Sequence, residues 1–467
     1  MKNKKRRMEL ISFYDTTKIK NHLEKMAEKG WLLESISNFG WVYRRIEPKK
    51  LKIAVSYYPK ASEFDPEPSI EQRIFHDYCE HSGWKLIGTW AQMQIFYNEE
   101  ENPVPIDTDP RVEVESLHKA MKANYIPSYI ILILLSLLQL GLVFGRVAND
   151  FIGALISSSL LFSATVWLML AIMCVTDLMN YFKWHKKAVV AAEEGDFLPT
   201  KSGYWLQIVV IAWSIGGAFL WLASLAGTDF AIGIISFLWV SIVIFGVNGI
   251  KILLKKMKAS KNVNRVVTFV SAFVLSFSIL GVVTMLIIKG DILGALERAQ
   301  NPELETYEYY GDVHVIQKDA VPLTVTDLME VDYESYSTEW EESHSPFISQ
   351  YKGSAVAKWG DYSIPELAYT ITKVKIPALY DKCFKQIYEQ DFKYNTAETP
   401  KELWYSCKEI NETIWGVEKA YERYAGENKL TQYLLCQDNY LIEINTSWEL
   451  TEEEMRIAGA KLKAVLQ

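Results

Sequence analysis

Five apolar stretches dominate the hydropathy of this chain: Tyr129–Val147, Phe151–Thr176, Tyr204–Ala226, Phe230–Ile250 and Val266–Ile288. Each reaches or approaches the ~20 residues that a helix needs to cross a bilayer. Their charged residues stand at the edges, at Arg146, Asp177, Lys251, Arg265 and Lys289. The pattern predicts an all-α five-helix transmembrane bundle over 129–288 between two soluble arms. Within the spans, the polar residues Gln139, Ser157–Ser159, Cys174 and Asn248 predict a mainly structural bundle, since ion-coupled transport usually needs an acid, His or Arg in the membrane.

In residues 1–100 the pattern is that of a small α+β domain. Strands are predicted at Met8–Tyr14, Trp31–Ser37, Trp41–Ile46, Leu51–Tyr58, Trp84–Thr89 and Gln92–Tyr97. Ile19, Leu23 and Met26 lie at helical spacing after a capping Asp15 or Thr16. Ile70, Ile74 and Tyr78 predict the buried stripe of a second helix, opened by Ser69 with Gln72 at capping-box spacing. Helix, Gly30-Trp31 and strand are answered 53 residues later by helix, Gly83-Trp84 and strand. Each glycine suits the left-handed residue that ends a helix. Each tryptophan is expected to pack where helix meets sheet, so Gly30, Trp31, Gly83 and Trp84 are read as a structural motif. The repeat predicts a ferredoxin-like layer.

Residues 101–128 form a linker and juxtamembrane helix, with a helical stalk over 111–126 lying near the headgroups. Residues 289–467 predict a third, α+β domain. Strands are expected at Thr306–Ile316, Pro322–Thr326 and Val356–Trp359, and a helix at Ile376–Gln390 with Leu379, Cys383 and Ile387 on one face. A meander follows over Ile414–Tyr424, Lys429–Cys436 and Tyr440–Asn445. The last helix is capped by Thr451 with Glu454, and buries Met455, Ala458 and Leu462 with Val465 or Leu466.

Charge sets the expected topology. The loop Lys251–Arg265 carries six basic residues and no acid, and Lys183, Lys186, Lys187 and Lys201 follow the second span. Basic loops favour the cytoplasmic side, so a multi-pass cell-membrane protein is expected with its N-terminus inside and its C-terminus outside. No cleavable signal peptide is read before the spans. Residues 289–467 carry 18 basic and 32 acidic residues, which suits an extracytoplasmic domain and not one that hugs anionic lipid or nucleic acid.

Candidate chemistry is sparse. His76, Cys79 and His81 do not share one helical face, which argues against a metal site. Lys2–Arg7 serves as a topology or lipid-contact signal. The acidic run Glu330–Glu342, with Asp332, Glu334, Glu339, Glu341 and Glu342, lacks a cation-loop pattern. His344 stands between Ser343 and Ser345, but no nucleophile elbow or phosphate loop accompanies it. No catalytic, metal or cofactor-binding residue is assigned, no cofactor is expected, and no enzyme is predicted. Cys383, Cys407 and Cys436 allow one disulfide with a thiol left over, the pairing open.

Phe13-Tyr14-Asp15, the run Leu23–Leu33, Tyr57-Tyr58 and Gly83-Trp84 with its aromatic strand resemble the bacterial family catalogued as domain of unknown function 2812, over about residues 8–100. The resemblance implies a bacterial, Gram-positive membrane protein, of a kind encoded beside PadR-type transcriptional regulators. It implies regulation or envelope stress and no reaction. From the layout, a soluble domain on either side of a membrane bundle, the expected function is sensory or regulatory, signal transduction linking an extracytoplasmic domain to a cytoplasmic protein partner such as a transcriptional regulator. Besides that partner only the lipid bilayer is expected, and no nucleic acid. A transport or export accessory, or a lipid-handling protein, is the alternative.

Overall fold

The structure is a computed structural model describing residues 3–466 apart from 10, 38–39, 225–226, 291–304, 310–311, 333–335 and 358–363. Among the described residues, five helices are long and apolar enough to cross a membrane: Pro110–Asn149, Ser158–Glu193, Trp205–Leu222, Gly233–Lys256 and Lys261–Met285. This is a multi-pass membrane protein. Its contacts group into two units, one of Met1–Leu140, Thr165–Ser224 and Ala231–Met285, the other of Gly141–Ala164, Leu225–Phe230 and Leu286–Gln467.

In the first unit, β1 (Lys4–Arg7), α1 (Thr16–Glu28), β2 (Trp31–Ser37) and β3 (Gly40–Arg45) form one βαββ motif, and β4 (Lys52–Tyr57), α2 (Ile70–His81), β5 (Lys85–Trp90) and β6 (Met93–Asn98) form another. Each motif makes its own antiparallel three-stranded sheet, in order β1-β3-β2 and β4-β6-β5. The ladders thus differ from the single ferredoxin-like sheet expected, although β2 and β5 run side by side. The 53-residue echo extends to the register. A bulge falls between Leu33 and Ser35 in one sheet and between Leu86 and Gly88 in the other. Gly30 and Gly83 both take positive φ, +78° and +83°. A Cβ on Gly30 would come within 2.9 Å of the Ile46 carbonyl oxygen, and one on Gly83 within 2.9 Å of the Asn98 side-chain Nδ2, so both sites reject a side chain on backbone conformation and Gly30 on space as well.

Two expectations for this unit fail. The first strand is the basic tract Lys4–Arg7, not Met8–Tyr14. As an exposed edge strand it keeps its charges in water, which discourages further pairing. It leaves Phe13 and Tyr14 free to be buried in a turn. On α2, Ile70, Ile74 and Tyr78 are exposed, and the buried positions are Gln72 and Cys79. The inward face is a mixed one: Gln72 donates to Gln94 at 3.1 Å, and Cys79 and the half-buried Phe75 pack with Trp84 and Phe96.

α3 (Pro110–Ala120) passes through a π-helical turn, Met121–Tyr125, into α4 (Ile126–Asn149). Leu117, Ala120 and Met121 are buried against residues of both sheets, together with Tyr181 of α6 (Ser158–Glu193). The stalk is thus part of the soluble core, with Val112 alone of its three expected apolar contacts exposed.

In the second unit a seven-stranded antiparallel sheet runs in the order Tyr405–Ile410, Lys419–Ala425, Asn428–Gln437, Tyr440–Thr446, Leu367–Val374, Ile348–Ala357, Tyr336–His344. Both faces are covered. The C-terminal helix Glu452–Ala464 buries Met455, Ala458 and Leu462 on one face, its capping box formed by Thr451 and Glu454 as expected. Helix Tyr380–Tyr388 lies on the other with Cys383 and Ile387. The span expected from Phe151 begins instead at Ser158. Phe151–Ile156 is a short helix, α5, and Phe151 and Ile152 sit in the same cluster as Ile348, Leu434 and Leu441. Gln386 locks it there, accepting from Ile152 N at 3.0 Å and donating to Asp150 at 3.0 Å.

Smaller corrections follow from turns. Thr306–Ile316 divides into the hairpin Thr306–Tyr309 and Asp312–Val315. Pro322–Thr326 is not a strand, and a 3-10 turn runs over Val325–Asp327. Ile414 and Trp415 end a short helix that Gly416 terminates at φ +67°, so that strand starts at Lys419. Val356 is the penultimate residue of the strand Ile348–Ala357. Trp359 and Glu334 lie outside the described residues.

Candidate functional site

Within the first unit, Phe13-Tyr14-Asp15 plugs the soluble domain onto the membrane helices. Phe13 meets the rings of Tyr57, Trp90 and Tyr125, and Tyr14 those of Tyr125, Tyr181 and Trp184. Burial, and then the charges of Asp177 and Asp15, hold the Tyr14 phenol well above its ordinary range. Asp15 caps α1 through Lys18 N at 3.1 Å. It also accepts from Thr200 Oγ1 at 3.0 Å, Ser202 N at 2.9 Å and Ser202 Oγ at 2.7 Å. One carboxylate therefore starts a helix and clasps the loop that leads into α7 (Tyr204–Ser224).

The basic loop after α8 (Gly227–Lys256) is clasped from the same domain. Lys251 pairs with Glu63 at 3.1 Å and Lys258 with Glu67 at 2.7 Å. Asn264 Nδ2 donates to Phe64 O at 3.0 Å. The lysines read from sequence as an orientation signal thus also have protein partners.

At the centre lies Asp177, which sequence reading treated as an edge marker. It is 4% exposed. Ser12 Oγ donates to it at 3.0 Å and Tyr129 Oη at 3.1 Å; Tyr125 Oη also donates. Gln207 Nε2 donates to Ser12 Oγ at 3.0 Å. Four segments, namely the residue 12 turn, α3–α4, α6 and α7, thus converge on one carboxylate. Beside it opens a cavity of 530 Å³ whose walls include Ser12, Tyr125, Tyr129 and Gln207. A second cleft, of 590 Å³, contains Asp107 beside β4. Burial raises the Asp107 carboxyl above its ordinary value, against a hydrogen bond from Ser56 at 3.1 Å.

The residues singled out from sequence have other duties. Trp84 is buried and its Nε1 donates to Val104 O at 2.8 Å, whereas Trp31 lies beneath Arg45 and Lys5. His76 contacts Gln94 and His81 the Asp77 carbonyl. Among the described residues no cluster of three or more His, Cys, Asp or Glu is arranged for a metal ion. His344 bridges Ser349 Oγ at 3.0 Å and Glu342 at 3.3 Å, which has the outline of a nucleophile relay. Ser349 is 4% exposed, so its hydroxyl is closed to a substrate. In the acidic run, Glu342 accepts from Trp340 Nε1 and Glu341 faces Lys352. Cys383, Cys407 and Cys436 are all free thiols.

The signal for Asp177 was present but faint: one acid closing an apolar span just before a basic loop. Its partners Ser12, Tyr125 and Gln207 lie too far apart in sequence to be joined by spacing.

No curated protein and no solved structure matches the chain. Residues 15–129 match the family model described as "Protein of unknown function (DUF2812)". That stretch opens on Asp15, includes α3 and closes on Tyr129, so it reaches past the soluble domain to both tyrosines of the Asp177 cluster. The N-terminal region of this chain, over residues 15–129, is DUF2812-like.

Proposed function

We propose that this is a regulatory membrane protein of the bacterial cell membrane. In this reading the C-terminal domain is extracytoplasmic and meets an envelope signal, and the N-terminal domain is cytoplasmic and contacts a protein partner such as a transcriptional regulator. No catalysis is required of either. The observation that carries the reading is that membrane-helix segments enter the folded core of each unit. In the first unit, Met121 and Tyr181 belong to the core of the two small sheets. In the second unit, Phe151 and Ile152, which stand between α4 and α6 in the chain, belong to the core around Cys383. Segments fixed by packed side chains can pass on a shift along the chain, because close-packed interfaces rearrange between discrete states and do not yield continuously. Placement of the basic loops supports the cytoplasmic assignment.

Hydrogen exchange on the purified protein tests the coupling. F151D should speed amide exchange over 110–125 as well as around Cys383. Unchanged exchange over 110–125 would overturn it. Crosslinking in native membranes, with capture through a tag at Met1, then identifies the partner. The 530 Å³ cavity against the helices favours a second reading, a lipid-handling or transport accessory, which recovery of transporter subunits would support.

A further inference from the structure

The cavity beside Asp177 has a chemistry of its own. Among the described residues, its lining includes Glu9 and Glu63 but no Lys, Arg or His. Phe13, Trp90, Tyr125 and Tyr129 bring aromatic rings to it, and Leu170, Met173, Val210 and Ile211 make an apolar wall from α6 and α7. Glu9 and Glu63 are already paired, with Arg7 at 3.1 Å and Lys251 at 3.1 Å. Asp177 is not: among the described residues its partners are hydroxyls and an amide, with no cationic side chain in an ion pair. A buried carboxylate without a counter-charge is costly unless a cation approaches it. Aromatic faces favour an organic cation over a strongly hydrated metal ion. An apolar wall opposite requires that the cation carry hydrocarbon, and the volume lies within the usual range for small-molecule sites, about 300–1,000 Å³.

We propose that this cavity is a binding site for a monovalent amphipathic organic cation, an onium or alkylammonium group bearing an apolar body. The charge rests on the rings of Tyr125 and Tyr129, in front of Asp177, and the hydrocarbon lies against Met173 and Val210. The proposal rests on the cavity alone and not on the regulatory reading above. The same chemistry belongs to a free lipophilic cation and to a lipid with a quaternary ammonium headgroup.

The test is binding of tritiated tetraphenylphosphonium to the full chain in nanodiscs of phosphatidylglycerol. Saturable binding at one site per chain is expected, with neutral triphenylphosphine oxide failing to compete. D177N should weaken binding at least tenfold. M173W fills the apolar wall without touching the hydrogen bonds of Asp177, and should also weaken binding at least tenfold while the melting temperature stays near that of the parent. Absence of saturable binding, equal competition by the neutral oxide, or undiminished binding in M173W would each overturn the proposal. Adding phosphatidylcholine to the nanodiscs separates the sources. Displacement of the probe assigns the site to the lipid headgroup, and no displacement assigns it to a free cation; either supports the chemistry.

Discussion

Asp15 does two jobs with one carboxylate, and its substitution separates them. Asn is as good a helix cap as Asp, so D15N should hold α1 but bind the loop at Thr200 and Ser202 more weakly. D15A loses both and leaves buried donors unpaired. We expect D15A to cost about 2–4 kcal/mol and to open residues 194–203 to limited proteolysis, with D15N intermediate. A D15A cleavage rate equal to wild type would show that the clasp is idle. Arg423 is a comparable case in the C-terminal domain: 4% exposed, it is tied to Asp391 at 2.8 Å and to Ile387 O. R423A leaves that carboxylate without its partner and should cost about 3–5 kcal/mol, read by chemical denaturation. Asp107 supplies a pH dependence. Its carboxyl is raised in the folded state by burial, so its neutral form is the one the fold favours. Its contribution is complete below the unfolded value, about 3.9, and is lost as pH rises through the folded value. Melting temperature should therefore fall from pH 4 upward more steeply in wild type than in D107N. Parallel profiles would contradict the assignment.

α5 shows how a single element changes its allegiance. Phe151–Ile156 is apolar throughout and adjoins an apolar run, so hydropathy alone extends the membrane span into it. Asp150 caps it through Gly153 N at 2.9 Å, Ser157 ends it, and the C-terminal sheet buries it. Truncation of a buried Phe usually costs about 3–5 kcal/mol. F151A should therefore loosen the cluster that it shares with Cys383 and Cys436. Burial pushes both thiols up to about 11, and they should react slowly in wild type and faster in F151A, with Cys174 replaced to isolate the signal. Identical labelling rates would mean that α5 is not part of that core. α2 teaches the converse. Its stripe of Ile70, Ile74 and Tyr78 has helical spacing yet faces out, because Gln72 donates to Gln94 at 3.1 Å inside the domain.

For the whole molecule, the orientation assigned from charge is open to direct measurement. Asp196 in the loop before α7 and Glu398 in the C-terminal domain are both exposed. An impermeant maleimide should label E398C in intact cells and D196C only after lysis. The reverse pattern would invert the topology. Much of the architecture is legible without coordinates. Five long apolar runs leave a buried backbone no solution but helices. The Gly-Trp echo predicts a repeat, and the structure carries it as far as matching bulges after Leu33 and Leu86. The Thr451–Glu454 box is legible because capping is a local interaction. The strand Tyr336–His344 is not legible because it lies at the sheet edge and its outer half, Glu341–His344, stays exposed and polar, so it carries no apolar alternation.

By itself, then, the amino-acid order determined what depends on neighbours a few residues away: the helices long enough to span, the helix caps at Asp15, Ser69 and Thr451, the positive-φ glycines Gly30 and Gly83, and the repeated motif. Tertiary structure alone decided which apolar segments enter a protein core instead of the membrane, as with α5, and which face of α2 is buried. It alone joined Ser12, Tyr125, Tyr129 and Gln207 around Asp177. Such choices depend on partners 22 to 236 residues distant in the chain, and the balance of burial and hydrogen bonding that settles them exists only once those partners have come together.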